Sequence, residues 1–287
     1  GACDMKGFAA VALAAVPKAL QAGLKRPIQL ALSYDEEVGM WGAKRLVPAM
    51  AASMPPAAGV IVGEPTGMQV VTGHKGGLML RTHVRGFEVH SSIVHTGVSA
   101  VFNAARLVTW MEEQMEANRR EAERASGNPL FDPPYTTLHV GVIEGGTARN
   151  IVARDCSFPT DIRTLPGDSS ADWLARYQAK VAQVEAAMKA VRPEAGITVE
   201  VRADLPGCRA EADGAAEAIC RQLTGDNGQH AVSYGTEAGL FQDGGYSACV
   251  CGPGNIEQAH QPNEFLEVSQ LEAGAAFMDR LIGRLAA

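Results

Sequence analysis

Leu78-Met79-Leu80-Arg81-Thr82-His83-Val84-Arg85 puts Leu78, Leu80, Thr82 and Val84 on one face and Met79, Arg81, His83 and Arg85 on the other. A two-residue period with one apolar face marks a half-exposed antiparallel strand. The segments before it read differently. Pro27-Ile28-Gln29-Leu30-Ala31-Leu32-Ser33 and residues 59–63 are short apolar runs, as expected of buried strands. Between them, residues 42–52 suit a helix that stops before Pro55-Pro56. Residues 7–23 suit another helix, small and apolar nearly all round, hence buried, and closed by Gly23. Strand, helix and strand at this spacing indicate an α/β layer.

Downstream of Arg85 the pattern predicts a helix over 98–125 and a Gly/Pro-rich loop over 127–134. Strands are expected over 136–143 and 155–163, with Pro159 making the second an edge strand or marking a bulge. A helix over 170–191 starts behind Asp168-Ser169, and 197–202 alternates as a strand. The order β-α-β-β-α-β is that of a ferredoxin-like split βαβ unit. After Gly207 the α/β pattern returns, with a helix over 210–223, a strand over 247–251 and a helix over 269–285. One domain made of residues 1–74 and 208–287 is therefore expected to be interrupted by an α+β domain of residues 75–207.

The chain has 287 residues, 46% of them hydrophobic and 20% charged, which excludes a disordered polymer. A formal charge of −7 argues against a nucleic-acid partner. No apolar run approaches the ~18–20 residues of a membrane span. Six scattered cysteines do not make a disulfide scaffold, so a reducing cytoplasm is the expected compartment. The sequence starts Gly1-Ala2-Cys3-Asp4, with no initiator Met and no signal peptide.

Acidic and imidazole groups cluster just past the expected strand ends. Ser33-Tyr34-Asp35-Glu36-Glu37-Val38-Gly39 follows the first, Gly63-Glu64-Pro65-Thr66 the second, and Ala259-His260-Gln261-Pro262 the strand at 247–251 and its turn. Asp4 precedes the first helix. Open α/β sheets bind ligands outside the carboxyl ends of their strands. Carboxylates crowded there raise one another's pKa unless cations neutralise them, and Asp, Glu and His are zinc ligands. Taken singly, an acidic run is also a solvated helix start, Glu-Pro a loop, and a His beside Pro a turn residue.

These stretches, with Glu144-Gly145-Gly146 through Asn150, Thr160 through Gly167, Gly235-Thr236-Glu237-Ala238 and Gly252-Pro253-Gly254 through Asn263, resemble the M20 family of metallohydrolases, most closely its acetylornithine deacetylase branch. The resemblance implies a three-layer α/β catalytic domain interrupted by a ferredoxin-like lid and dimerisation domain. It implies two zinc ions, with cobalt or manganese as substitutes. Asp4 would bridge them, Glu37 and His260 complete one site, and Glu64 serve the other. Glu36 would be the general base, and the Asp4–Met5 peptide would be cis. The family's His-x-Asp motif lies upstream of the bridging Asp, before Gly1, so a chain beginning there lacks one ligand of the Glu64 metal and could be a non-catalytic fragment.

In the inserted domain, His90 matches the lid histidine that reaches a partner subunit's site in a homodimer. Val89 stands where the family usually has Gly. His95 is the competing histidine, and Ser91-Ser92 favours His90. Asn150, Arg163, Thr236 and Gly254 match positions expected to hold substrate, a small N-acyl amino acid; Arg163 could instead pair with Asp161 or Asp168. The implied reaction is hydrolysis of N-acetylornithine to ornithine and acetate. N-succinyl-diaminopimelate or a C-terminal residue of a peptide are the alternative substrates.

Overall fold

In the computed structural model, which describes residues 1–125 and 130–287, the elements run α1 (Gly7–Gln21), α2 (Trp41–Ser53), β1 (Val60–Val62), β2 (Val71–His74) and β3 (Gly76–Arg85). Next come α3 (Ala100–Arg124), β4 (Thr137–His139), β5 (Glu144–Gly145), β6 (Asp155–Thr164), α4 (Ser170–Lys189) and β7 (Gly196–Leu205). The chain ends with α5 (Ala215–Thr224), β8 (His230–Val232), α6 (Ala238–Asp243), β9 (Ala248–Val250) and α7 (Val268–Ala286). They form two units, residues 1–75 with 206–287, and residues 76–205. The loop expected at 127–134 lies partly outside the described residues.

The first unit is a three-layer sandwich. Its sheet has the order β1-β9-β2-β8, with β1 parallel to β9, β2 antiparallel to β9, and β8 parallel to β2. Strand periodicity assigns the two faces of β9. Cys249 and Cys251 pack with Val11, Cys220, Phe277 and Met278 under α1, α5 and α7. Ala248 and Val250 pack with Val47, Met50, Ala238 and Phe241 under α2 and α6. His74 ties β2 to α6: its ring Nδ1–H donates to the Lys75 carbonyl at 2.9 Å, and Nε2 accepts the Gly239 N–H at 3.2 Å. Burial holds this imidazole neutral, its pKa pulled down to about 4.

Two expectations fail in this unit. Residues 28–33 run without strand pairing, and Leu30 and Leu32 are exposed. An apolar run supplies the side chains of a buried strand, but the strand itself needs a neighbour's N–H and C=O groups. Nor is α1 buried all round. Val11 and Ala12 face the core, whereas Leu20 is 80% exposed.

The second unit is an antiparallel sheet in the order β4-β6-β3-β7, with β5 pairing β6 beyond β4. Leu78, Leu80 and Val84 of β3 pack with Leu107 and Met111 of α3 and with Trp173 and Tyr177 of α4. Ser99 and Ser169 cap the two helices through the N–H groups of Phe102 and Asp172. The expected strand over 136–143 is confined to Thr137–His139, with exposed residues at 141–143. β6 lies inside the sheet order, yet Pro159 is tolerated. β4 pairs Asp161–Arg163 and β5 pairs Cys156–Ser157, so Pro159 faces the gap between them while pairing Arg81 on its other side.

Candidate metal centre

Asp4 sits in a wide turn, Ala2–Lys6, that leads into α1, with Asp4 and Met5 in non-helical conformations. The Asp4–Met5 peptide is cis, as the resemblance implied. Cys3 beside it is buried, and its Sγ donates to the Asn255 carbonyl at 3.4 Å. Gly254 makes that approach possible. It has φ +97°, and a Cβ there would stand 2.4 Å from the Cys3 Sγ.

Glu36 and Glu37 lie in one 3₁₀ turn, Glu36–Val38, entered through Asp35 at φ +58° and closed by the Met40 N–H on the Asp35 carbonyl at 2.9 Å. Two non-glycine residues, Asp35 and Met40, hold left-handed backbone around this turn, and His260 does so at φ +55°. Such conformations cost energy and persist where the surroundings impose them. Glu64 follows β1 and is 6% exposed.

The His260 Nε2 lies 3.0 Å from both carboxylate oxygens of Glu37 and 3.1 Å from the Asp4 Oδ2. One ligand atom from each of Asp4, Glu37 and His260 can be chosen so that all lie within 4.8 Å of one another, the one such trio among the described residues. Two carboxylates and an imidazole are a donor set that a divalent cation such as zinc accepts, so these residues fit the group that the resemblance implies. Glu64 is outside that trio, and Asp4 is the neighbouring group that raises its pKa most. Asp4, Glu36, Glu64 and Glu237 line a cavity of about 750 Å³ together with apolar groups such as Phe8 and Leu30.

The electrostatics match the crowding. Burial, then the Glu37, Glu237 and Asp4 charges, push Glu36 up to about 7, and of the influences on it only His260 opposes them. Burial, then Asp4, pushes Glu64 up to about 9. The Glu37 carboxylate is the largest of the forces that raise His260. Carboxylates so placed hold protons, or a cation in their stead.

The remaining expected site residues are engaged as follows. Thr236 is buried, and its Oγ1 accepts the Ala238 N–H at 3.1 Å in the turn that enters α6. Gly254 donates to Gln270 at 3.0 Å. In the second unit His90 is exposed, its Nδ1 2.8 Å from the Ser92 Oγ. The Ser91 N–H donates to the Asn150 carbonyl at 2.9 Å, so the loops of His90 and Asn150 are neighbours. His95 lies one turn further on, in the same 3₁₀ segment. The Arg163 Nε–H donates to the Asp161 carboxylate at 3.0 Å, one of the two pairings open to it from the sequence.

Three polar groups at the centre carry no individual role in the sequence reading. Glu237, 9% exposed, accepts the Ser33 hydroxyl at 2.6 Å. Tyr234 is pushed up to about 12 by burial first and then by Glu64 and Asp4. Glu264 accepts the backbone N–H groups of Cys3 and Asp4. Glu237 and Glu264 fall inside or beside the motif stretches, but nothing local in the sequence tells which side chain turns inward.

The family model for peptidase family M20/M25/M40 matches residues 1–284, and the chain belongs to that family. Its relatives include an acetylornithine deacetylase of Myxococcus xanthus, 37% identical over 98% of this chain and 70% of the relative. One from Proteus mirabilis is 34% identical over the same shares. Among solved structures, an M20-family metallo-carboxypeptidase from Sulfolobus solfataricus superposes with a TM-score of 0.73 at 16% identity, covering 100% of this chain and 76% of that one. Aminopeptidase PepT from Bacillus cereus gives 0.69 at 22% identity, over 99% and 71%. The structural likenesses establish the mixed α/β fold of this hydrolase family.

Proposed function

We propose that the protein is a zinc-dependent amide hydrolase that removes the acetyl group of N-acetylornithine in the cytoplasm, as a step of arginine biosynthesis. The observation that carries this reading is the convergence of His260 on Asp4 and Glu37, at 3.1 and 3.0 Å, beside a partly buried Glu36. The names and identities of the acetylornithine deacetylase relatives support the substrate.

Asp4, Glu37 and His260 would hold one divalent cation, and Asp4 with Glu64 would contribute to a second. A cation bound there polarises an acyl carbonyl and lowers the pKa of water. Glu36 takes a proton from the attacking water and delivers it to the departing nitrogen. The amide C–N bond breaks, a C–O bond forms, and acetate and the free amine leave. A pKa near 7 suits a group that must both accept and release a proton at neutral pH. Thr236 and Gly254 would line the substrate's seat.

The unit of residues 76–205 would act as lid and dimerisation domain. Asn150 and Arg163 hold polar groups of the substrate, with Arg163 exchanging Asp161 for a carboxylate through its planar fork. His90 of a second copy stabilises the developing oxyanion. No described helix is long and apolar enough to cross a membrane.

The test is a substrate panel on the zinc-loaded protein. Acetate release from N-acetylornithine is expected, lost on chelation, and lowered ~10²–10⁴-fold in kcat by Glu36→Gln at unchanged zinc content. A higher kcat/KM for succinate release from N-succinyl-diaminopimelate, or for a peptide's C-terminal residue, would place the protein in another branch. Failure to hydrolyse any of the three, in a chain that carries the family's upstream His-x-Asp motif, would reject the reading.

A further inference from the structure

We propose that Glu264 is a positioning residue of the metal centre, whose carboxylate fixes the backbone carrying Asp4 against the loop carrying His260. The inference rests on the reading of Asp4, Glu37 and His260 as cation ligands. Its ground is a set of contacts that join two distant parts of the chain. The Glu264 Oε1 accepts the Cys3 N–H at 2.7 Å and the Asp4 N–H at 2.9 Å.

These N–H groups need an outside acceptor. They belong to the wide turn that holds Asp4 and Met5 in non-helical conformations, and both close on one carboxylate oxygen of Glu264. Glu264 supplies it from four residues beyond His260. The link between them is sharply folded: His260 and Asn263 both have left-handed backbone, at φ +55° and +62°, and the Glu264 N–H closes on the Gln261 carbonyl at 3.2 Å. The same short loop therefore presents an imidazole to the Asp4 carboxylate and a carboxylate to the Asp4 backbone. The Glu264 side chain is 12% exposed, so water competes little for these bonds. With the backbone of Asp4 held, its Oδ2 stays 3.1 Å from the His260 Nε2 before any ion arrives. Preorganisation of this kind lets a cation gather its ligands without first ordering a loop.

The effect should appear in metal binding, independently of turnover. Co²⁺ is titrated into the metal-free protein, with the visible absorption band and the dissociation constant as readouts. Glu264→Ala should weaken Co²⁺ binding ~10–100-fold, as loss of a group that orients ligands typically does, and should alter the band. Glu264→Gln keeps an oxygen that can accept both N–H groups, so it should stay within about threefold of the wild type and retain the band. If Glu264→Ala does not fold, Glu264→Asp takes its place. It keeps the charge but shortens the reach by one methylene, and the same weakening is expected. An unchanged affinity and band in the folded Ala or Asp variant would overturn the proposal while leaving the ligand assignment standing. If the wild type binds Co²⁺ no better than Asp4→Asn does, the ligand assignment itself fails and takes the proposal with it.

Discussion

Two histidines in the first unit sit against carboxylates at nearly the same distance and in opposite circumstances. His230 lies 3.2 Å from Asp226, and that carboxylate also accepts the N–H groups of Val70 at 2.7 Å and Gly228 at 2.9 Å. Asp226 is held below the usual carboxylate range: burial, the largest single influence, pushes it up, and the bonds from Val70, Gly228 and His230 with the His230 charge together bring it down. His260 lies 3.0 Å from Glu37 and 3.1 Å from Asp4, in a more crowded group of acids. Two of its neighbours, Glu36 and Glu64, are pushed upward instead. A His–carboxylate contact thus says little by itself. The charge left over around it separates a structural pair from a candidate cation site.

The comparison breaks most readily at the imidazoles. His260→Ala should weaken Zn²⁺ binding by at least about 100-fold, beyond what loss of an outer partner costs, while His230→Ala should leave it unchanged. Equilibrium dialysis of the two variants decides this, and equal losses would erase the distinction. A smaller effect of the opposite sense is expected in stability. Asp226→Ala strands the buried Val70 N–H and should cost about 1–3 kcal/mol in urea unfolding. Glu64→Gln, isosteric with an acid that is already neutral at pH 7, should leave the metal-free protein unchanged there.

A gentler contrast lies in pH. Glu36 and Glu64 bind protons more tightly in the folded chain than at their unfolded value of 4.5. Above that value the unfolded chain carries fewer protons than the folded one, so stability falls as pH rises. His74 works the other way below 6.5, because only the unfolded ring is protonated there. Thiols enter only above about 8. Thermal unfolding of the metal-free protein should therefore shift downward between pH 6.5 and about 8, less steeply in Glu36→Gln.

Much of this was open to a reading of the sequence. The alternation at 78–85 follows from local period alone, and β3 shows it directly, with Leu78, Leu80 and Val84 buried and Arg81 and Arg85 exposed. Capping signals such as Ser169 are equally local. What escaped depends on partners. The run at 28–33 has strand composition but no neighbour to pair with, and β2 and β8 are too short to show a period. Pro159 gains its place from a gap between β4 and β5 that no window around it reveals. The centre divides the same way. Asp4, Glu37, Glu64 and His260 stand in motif stretches, but the inward turns of Glu237 and Glu264 arise from chain reversals at Ser33 and Asn263, far from them in sequence or hidden in a loop.

The most direct measurement is calorimetric titration of Zn²⁺ at pH 7.5 in two buffers of different ionisation enthalpy. If the acids and imidazole around Asp4 hold protons that a cation replaces, binding should release about one proton or more per zinc, and fewer in Glu64→Gln. Zinc binding that releases no proton, or that survives His260→Ala with the same release, would contradict a metal centre at this place.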